Sequence, residues 1–203
     1  MIHPPKRDGW LLQSDKPAQA HVEGARIGDW IQTFTGLQAY PMDLRPSEIK
    51  IEDIAHSLAM QCRYTGHCRR FYSVAEHSVL MARHFMKIGM AEYALPALLH
   101  DATEGYLTDV PRPVKPFLRG YKEAEQNAWL AISERFGLDP RLSSHVHDAD
   151  ARILIDERAQ NMNPSAEEWG GLPDHGLDVV LEFWSPEEAE REFLHAFYSL
   201  RRI

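Results

Sequence analysis

Apolar residues that recur at the helical period, cut at intervals by glycine and proline, constrain the fold of this chain more than any other feature. After Pro46-Ser47, the residues Ile51, Ile54, Ala55, Leu58, Ala59 and Cys62 follow the 3.6-residue repeat of one buried helix face. Ser73 is placed to cap the next helix, and Glu76 three residues on completes a capping box. That helix runs through His77 to about Phe85 and carries Val79, Leu80 and Ala82. Gly89 ends it, and a third helix is expected over about 91–104, through ALPALLHDATE, until Gly105 and the Pro111/Pro113 pair break the pattern. Further helices are expected at about 121–136, 147–162 and 185–200. Strand-like alternation is sparse. The stretch 29–46 mixes aromatics with Gly and Pro and reads as largely non-helical, with room for a short hairpin; 163–173 reads as a turn-rich insertion. The chain is therefore expected to be all-α, a helical bundle over residues 28–203 preceded by an irregular N-terminal arm, 1–27.

With 203 residues and 44% hydrophobic content, one domain can bury a sizeable core. No apolar run reaches the roughly 18–20 residues that span a bilayer, and MIHPPKRDGW lacks an apolar signal core, so a cytoplasmic protein without a membrane partner is expected. Cys62 and Cys68 are the only cysteines. Free thiols are the default for such a pair, and a zinc knuckle is disfavoured. The net charge of -8 argues against a nucleic-acid polymer as partner. A small phosphorylated ligand remains compatible, because Arg63, Arg69, Arg70, Arg112 and Lys115 flank the motif described next.

The chemistry concentrates at His100-Asp101, read with His77 upstream and Asp150 downstream. Two imidazoles and two carboxylates can close around one divalent transition metal (Mn, Co, Zn, Fe or Ni) and leave positions for water and a substrate oxygen. A metal so held activates water near neutral pH, which points to hydrolysis. Asp148 competes with Asp150 for the last position. Residues two apart on a helix point about 200° from each other, so only one of them faces the ion. Glu104 follows His100 by four residues and Asp101 by three, and shares their face if the helix persists. Its plainer roles are an ion pair with a nearby arginine or a solvated helix end. Trp30, Phe34, Tyr40, Phe71 and Tyr72 are either core residues or the wall of a base-stacking pocket.

The order His77, His100-Asp101, Asp150, with the strings YSVAEHSVLMA, ALLHDATEGYLTDVPRPVK and DADARILIDERAQNM, resembles the HD-domain phosphohydrolase superfamily. Within it, the similarity is to bacterial 5′-deoxynucleotidases and phage-type deoxynucleoside triphosphate hydrolases, over about residues 28–163. The resemblance implies an HD-domain bundle in which His77, His100, Asp101 and Asp150 bind the metal, Asp150 being the better match to the family's final helix. It places catalytic acids at Glu104 and Asp109, and substrate contacts among Arg69, Arg70, Arg112, Lys115 and His67. Only His145 and His147 fall where a second metal would need extra histidines, so one metal is expected. The implied activity is dephosphorylation of a nucleotide substrate, a 5′-(deoxy)nucleoside monophosphate first. Hydrolysis of a deoxynucleoside triphosphate is the alternative, and a non-catalytic nucleotide-binding regulatory module is the reading from a different class. A homodimer is an assembly such relatives often form.

Overall fold

The computed structural model describes residues 26–202 apart from residue 168, so all of the expected arm except Arg26 and Ile27 lies outside the described residues. Arg26 is tied down: its guanidinium meets Glu48 at 2.6 Å and Asp43 at 3.4 Å, and lies over the Tyr40 ring.

The fold is mostly helical. A two-stranded hairpin, β1 (Ile31–Gln32) and β2 (Gln38–Ala39), pairs Ile31 with Ala39 and Gln32 with Gln38. Seven helices follow among the described residues: α1 (Ile51–Met60), α2 (Val74–Lys87), α3 (Ala94–Leu99), α4 (Glu104–Leu107), α5 (Tyr121–Phe136), α6 (Ser144–Asn161) and α7 (Pro186–Leu200). None is long and apolar enough to cross a membrane.

The central helix is α2, which packs against α1, α3, α6 and α7. One side, through Val74, Ala75, Val79 and Ala82, joins a core with α1, α3, α5 and α7. The other side, through Leu80, Met81 and Phe85, joins a second core with Ala149 and Ile153 of α6. A helix apolar on both sides must be buried on both sides, and this sets His77 at zero exposure.

The capping box expected at Ser73 forms only in part. Ser73 Oγ accepts from the Glu76 N–H at 3.0 Å, as an N-cap should. The Glu76 carboxylate does not turn back to the cap. It faces inward and accepts the N–H groups of Glu182, Phe183 and Trp184 at 2.8, 2.8 and 2.9 Å. Three donors satisfy a buried carboxylate better than the single amide that a capping box offers.

Two further departures matter for the site. The helix expected over 91–104 ends at Leu99 and resumes at Glu104. Between them the chain tightens into i→i−3 bonds, Ala102 to Leu99 and Glu104 to Asp101. Gly105 then lies against α1: a Cβ there would sit 3.6 Å from Ile54 Cα, and Ser57 Oγ donates to the Gly105 carbonyl. Among the described residues, the region expected as an insertion over 163–173 remains non-helical up to Ser185. Its second half, 175–184, is an irregular strap, kinked at Asp178 and Phe183 where φ is 58°, whose main chain bonds to side chains. Asp156 accepts from Leu177 N–H, Gln160 spans Val179 and Leu181, and Arg152 donates to Gly176. Leu177 and Leu181 are buried beneath it.

Glu76→Ala should therefore cost about 3 kcal/mol or more in urea unfolding, since it orphans three amides at once. Ser185→Ala, which removes an exposed N-cap, should cost only about 1 kcal/mol. Equal losses would refute the bridging role given to Glu76.

Candidate metal centre and its cavity

His77 projects from α2, His100 and Asp101 from the turn after α3, and Asp150 from α6. Their donor atoms converge. His77 Nε2 lies 3.4 Å from His100 Nε2 and 3.3 Å from Asp150 Oδ1, while His100 Nε2 lies 3.7 Å from that oxygen. Asp101 Oδ2 is 3.2 Å from His100 Nε2 and 3.7 Å from His77 Nε2. Two donors bound tetrahedrally to one ion at about 2.05 Å lie about 3.3 Å apart, so the spacing suits a shared cation.

The tautomers agree with this. His100 Nδ1 donates to the Ala97 carbonyl at 2.7 Å, and His77 Nδ1 donates to Glu157 Oε1 at 2.6 Å. With both Nδ1 atoms holding the proton, both Nε2 lone pairs point inward, as metal-binding histidines require. Among the described residues, His77, His100 and Asp150 form a group of donors able to hold a metal ion, and Asp101 adjoins its two histidines. His145 stacks on Tyr93 and His147 is exposed; neither joins the cluster. Asp148 turns outward to Arg152, 3.6 Å away, which leaves Asp150 as the residue of that pair facing the histidines.

Charge holds the cluster together. Burial works to raise the Asp150 carboxyl, but hydrogen bonds from His100 and His77 hold it far below the usual carboxylate range. Burial likewise works against a charged His100, and is outweighed by Asp101 and Asp150, which raise its pKa.

Beside the cluster lies a cavity of about 490 Å³, within the size range of small-molecule sites. Glu104, Asp109, Arg112 and Lys115 all line it, with Asp101 and Asp150 at its floor. Burial, then the charges of Asp101 and Asp109, push the Glu104 carboxyl up to about 9, against the pull of Arg63 and Lys115. Its Oε2 is buried without a partner. Burial also raises Asp109. Lys115 reaches Glu125 at 2.8 Å and Glu104 at 3.9 Å, and Arg112, 74% exposed, comes within 3.9 Å of Asp150.

Three of the sequence candidates lie elsewhere. Arg69 donates to the Gln160 carbonyl, Arg70 lies over the Phe183 ring, and His67 is exposed at the end of its turn; none lines the cavity. The reason is backbone shape. Tyr64, Thr65 and Gly66 all have positive φ and turn the chain so that residues 67–70 face the end of α6. The aromatics named from sequence are also absent from its walls. Tyr72 is buried and donates to Glu157, Phe34 stacks on His56, Tyr40 carries Arg26, and Trp30 and Phe71 are exposed. The rings that do line the cavity are Tyr64 and Trp169, 5.7 Å apart.

Two residues at the centre were not singled out as site residues by the sequence. Arg63 had been noted only as a flanking charge. Its buried guanidinium spans Asp101 at 3.5 Å and Glu157 at 3.4 Å. Glu157 lies seven residues, two helical turns, beyond Asp150, so the shared face was a usable signal.

An all-α fold with a histidine–carboxylate cluster suited to one metal ion is the class of protein these features define. The chain is 42% identical over 177 residues to the uncharacterized protein YfdR of Escherichia coli (strain K12), covering 86% of this chain and 97% of YfdR. It is 33% identical over 188 residues to the uncharacterized protein RCAP_rcc00048 of Rhodobacter capsulatus, covering 85% and 96% respectively. No family model matches it. The chain belongs to the same family as YfdR.

Glu157→Gln should weaken metal binding about 10- to 100-fold in chelator competition, because it removes the negative charge that favours the proton on His77 Nδ1. Unchanged affinity in a folded variant would dismiss that role. A pH test follows from Glu104. Its folded pKa lies above the ordinary value, so its stabilising effect is complete below pH 4.5 and is lost as pH rises towards about 9. In metal-stripped protein, Glu104→Gln should gain Tm relative to wild type across that window; a gap that does not change with pH would count against a buried neutral Glu104.

Proposed function

We propose that this protein is a metal-dependent phosphohydrolase of the HD type that removes phosphate from nucleoside 5′-monophosphates. The observation that carries this reading is the convergence of His77, His100, Asp101 and Asp150, with Asp101 and Asp150 lining a cavity that Arg112, Lys115 and Glu104 also line. A divalent ion held by these four residues supplies Lewis acidity, neutralising charge on phosphoryl oxygens and making water a better nucleophile.

The chain supplies the rest. Arg112 and Lys115 offer N–H donors to phosphate oxygens, and Arg63 adds positive charge beside the floor. Arg112, being largely exposed, is free to close on an anion. Water adds to phosphorus as the bond to the 5′-oxygen breaks, and Glu104, neutral at pH 7, gives its proton to the departing oxygen. Asp109 orients the attacking water. Tyr64 and Trp169 present aromatic faces on which a base can stack. Carboxyl groups lining the cavity beside the cations favour a monophosphate over the more highly charged triphosphate.

Metal-stripped protein, restored with Mn, Co, Zn, Ni or Mg, should release orthophosphate from a panel of dNMPs and NMPs. Asp101→Ala should lose metal and activity together. Glu104→Ala should keep the metal and lose about 100-fold or more in kcat. Release of triphosphate from dNTPs alone would replace the monophosphatase reading with the triphosphohydrolase one. Metal-loaded protein silent on the whole panel would remove the nucleotide reading and favour the regulatory module.

A further inference from the structure

The two cysteines take no part in that chemistry, yet they meet at the foot of the turn that carries Arg63 and Tyr64. Cys62 Sγ and Cys68 Sγ are 3.5 Å apart, and both residues are partly exposed. Each end of the turn is fixed to a different helix. Around Cys62, Arg63 N–H donates to the Tyr72 carbonyl and Val74 N–H to that of Gln61, which binds this end to the start of α2. After Cys68, Arg69 N–H donates to the Asn161 carbonyl at 2.8 Å and Arg70 N–H to Asn161 Oδ1 at 2.9 Å, which binds the other end to α6. Between them Tyr64, Thr65 and Gly66, with φ of 57°, 54° and 76°, reverse the chain in the left-handed region. Such a run is costly for non-glycine residues and persists only where its surroundings hold it. Here they hold two sulfurs face to face.

A metal site would need more donors, and among the described residues no His, Cys, Asp or Glu completes a group of three with these sulfurs. Sealed core thiols would not be reachable, and these are. We propose that Cys62 and Cys68 form a redox-active dithiol that reacts with low-molecular-weight disulfides and closes to an intramolecular disulfide.

With a small disulfide as oxidant, the Cys62 thiolate attacks one of its sulfurs, breaking that S–S bond and expelling one small thiol. Cys68 then attacks Cys62 Sγ in the mixed disulfide and expels the second. Two protein thiols lose two electrons and two protons, and the oxidant becomes two thiols. Burial, helped by the hydrogen bond to Cys62, pushes the Cys68 thiol up to about 11, which makes it the poorer first attacker; its own step relies on the 3.5 Å proximity of the two sulfurs. Closing the bond draws the sulfurs to about 2.05 Å, and so locks the turn from which Arg63 reaches Asp101 and Glu157.

The test does not depend on any enzymatic activity. Reduced full-length protein is titrated with oxidised glutathione, alkylated, and weighed by mass spectrometry. The wild type should end about 2 Da lighter than the reduced chain, without glutathione or alkyl groups, and yield one peptide cross-linked between positions 62 and 68. Dithiothreitol should restore both thiols. Cys68→Ser should stop at a stable glutathione adduct on Cys62, and Cys62→Ser should leave Cys68 unable to close. Two alkylatable thiols at oxidant excess, a stable mixed disulfide on the wild type, or disulfide-linked dimers would each overturn the proposal. So would protection of both thiols by zinc at a stoichiometry of one.

Discussion

The buried carboxylate of Glu157 is the point through which the site's elements are joined. It accepts from His77 Nδ1 on α2, from Tyr64 within the turn and Tyr72 beyond it, and it faces the Arg63 guanidinium. A fully buried charge is tolerated only when its oxygens are satisfied and a countercharge is near. Burial works to raise its pKa, and Arg63 and His77 more than compensate, so that it stays ionised. Because the acceptor is charged, His77 must present its proton on Nδ1 and its lone pair on Nε2. The carboxylate therefore settles the tautomer of one histidine while its counterion reaches across to Asp101. The geometry of the cluster depends on this acceptor, although it is none of the cluster's own donors.

Much of the fold was legible because helix formation leaves a local trace. The helix over 121–136 was bounded correctly, and Gly137 explains its end: φ of 69° there lets its N–H close on Ser133 and Glu134. His77, His100 and Asp150 were legible as donors because the chemistry restricts residue type. What escaped was decided between elements. Glu76 carries the pattern of a capping box, yet its carboxylate serves a strap more than a hundred residues away in sequence. Arg69 and Arg70 stand near His77 in sequence, but three left-handed residues aim them at α6. No period in the sequence encodes such a turn. Trp169 lies in a segment with no periodicity at all, and only the folded chain brings it to Tyr64.

Glu104 and Asp109 differ from Asp101 and Asp150 through environment rather than residue type. Asp150 and Asp101 face imidazoles and are held ionised, whereas Glu104 and Asp109, which line the same cavity, feel burial and like charge and are pushed upward. Groups whose environments drive their pKa values apart are suited to opposite duties, some holding a cation and others carrying a proton.

The strap over 175–184 has a further consequence. Its main chain is held by Asp156, Gln160, Arg152 and Glu76, not by a neighbouring strand. A ladder melts cooperatively, but a segment fastened by individual side chains can come loose one fastening at a time. Its amides should then exchange with solvent in small local openings, well below the free energy of global unfolding. Each opening would uncover Leu177 and Leu181, which share a core with Ile153 on the helix that bears Asp150. Local opening of the strap would thus loosen the packing beneath the helix that carries Asp150 while the rest of the fold stays intact.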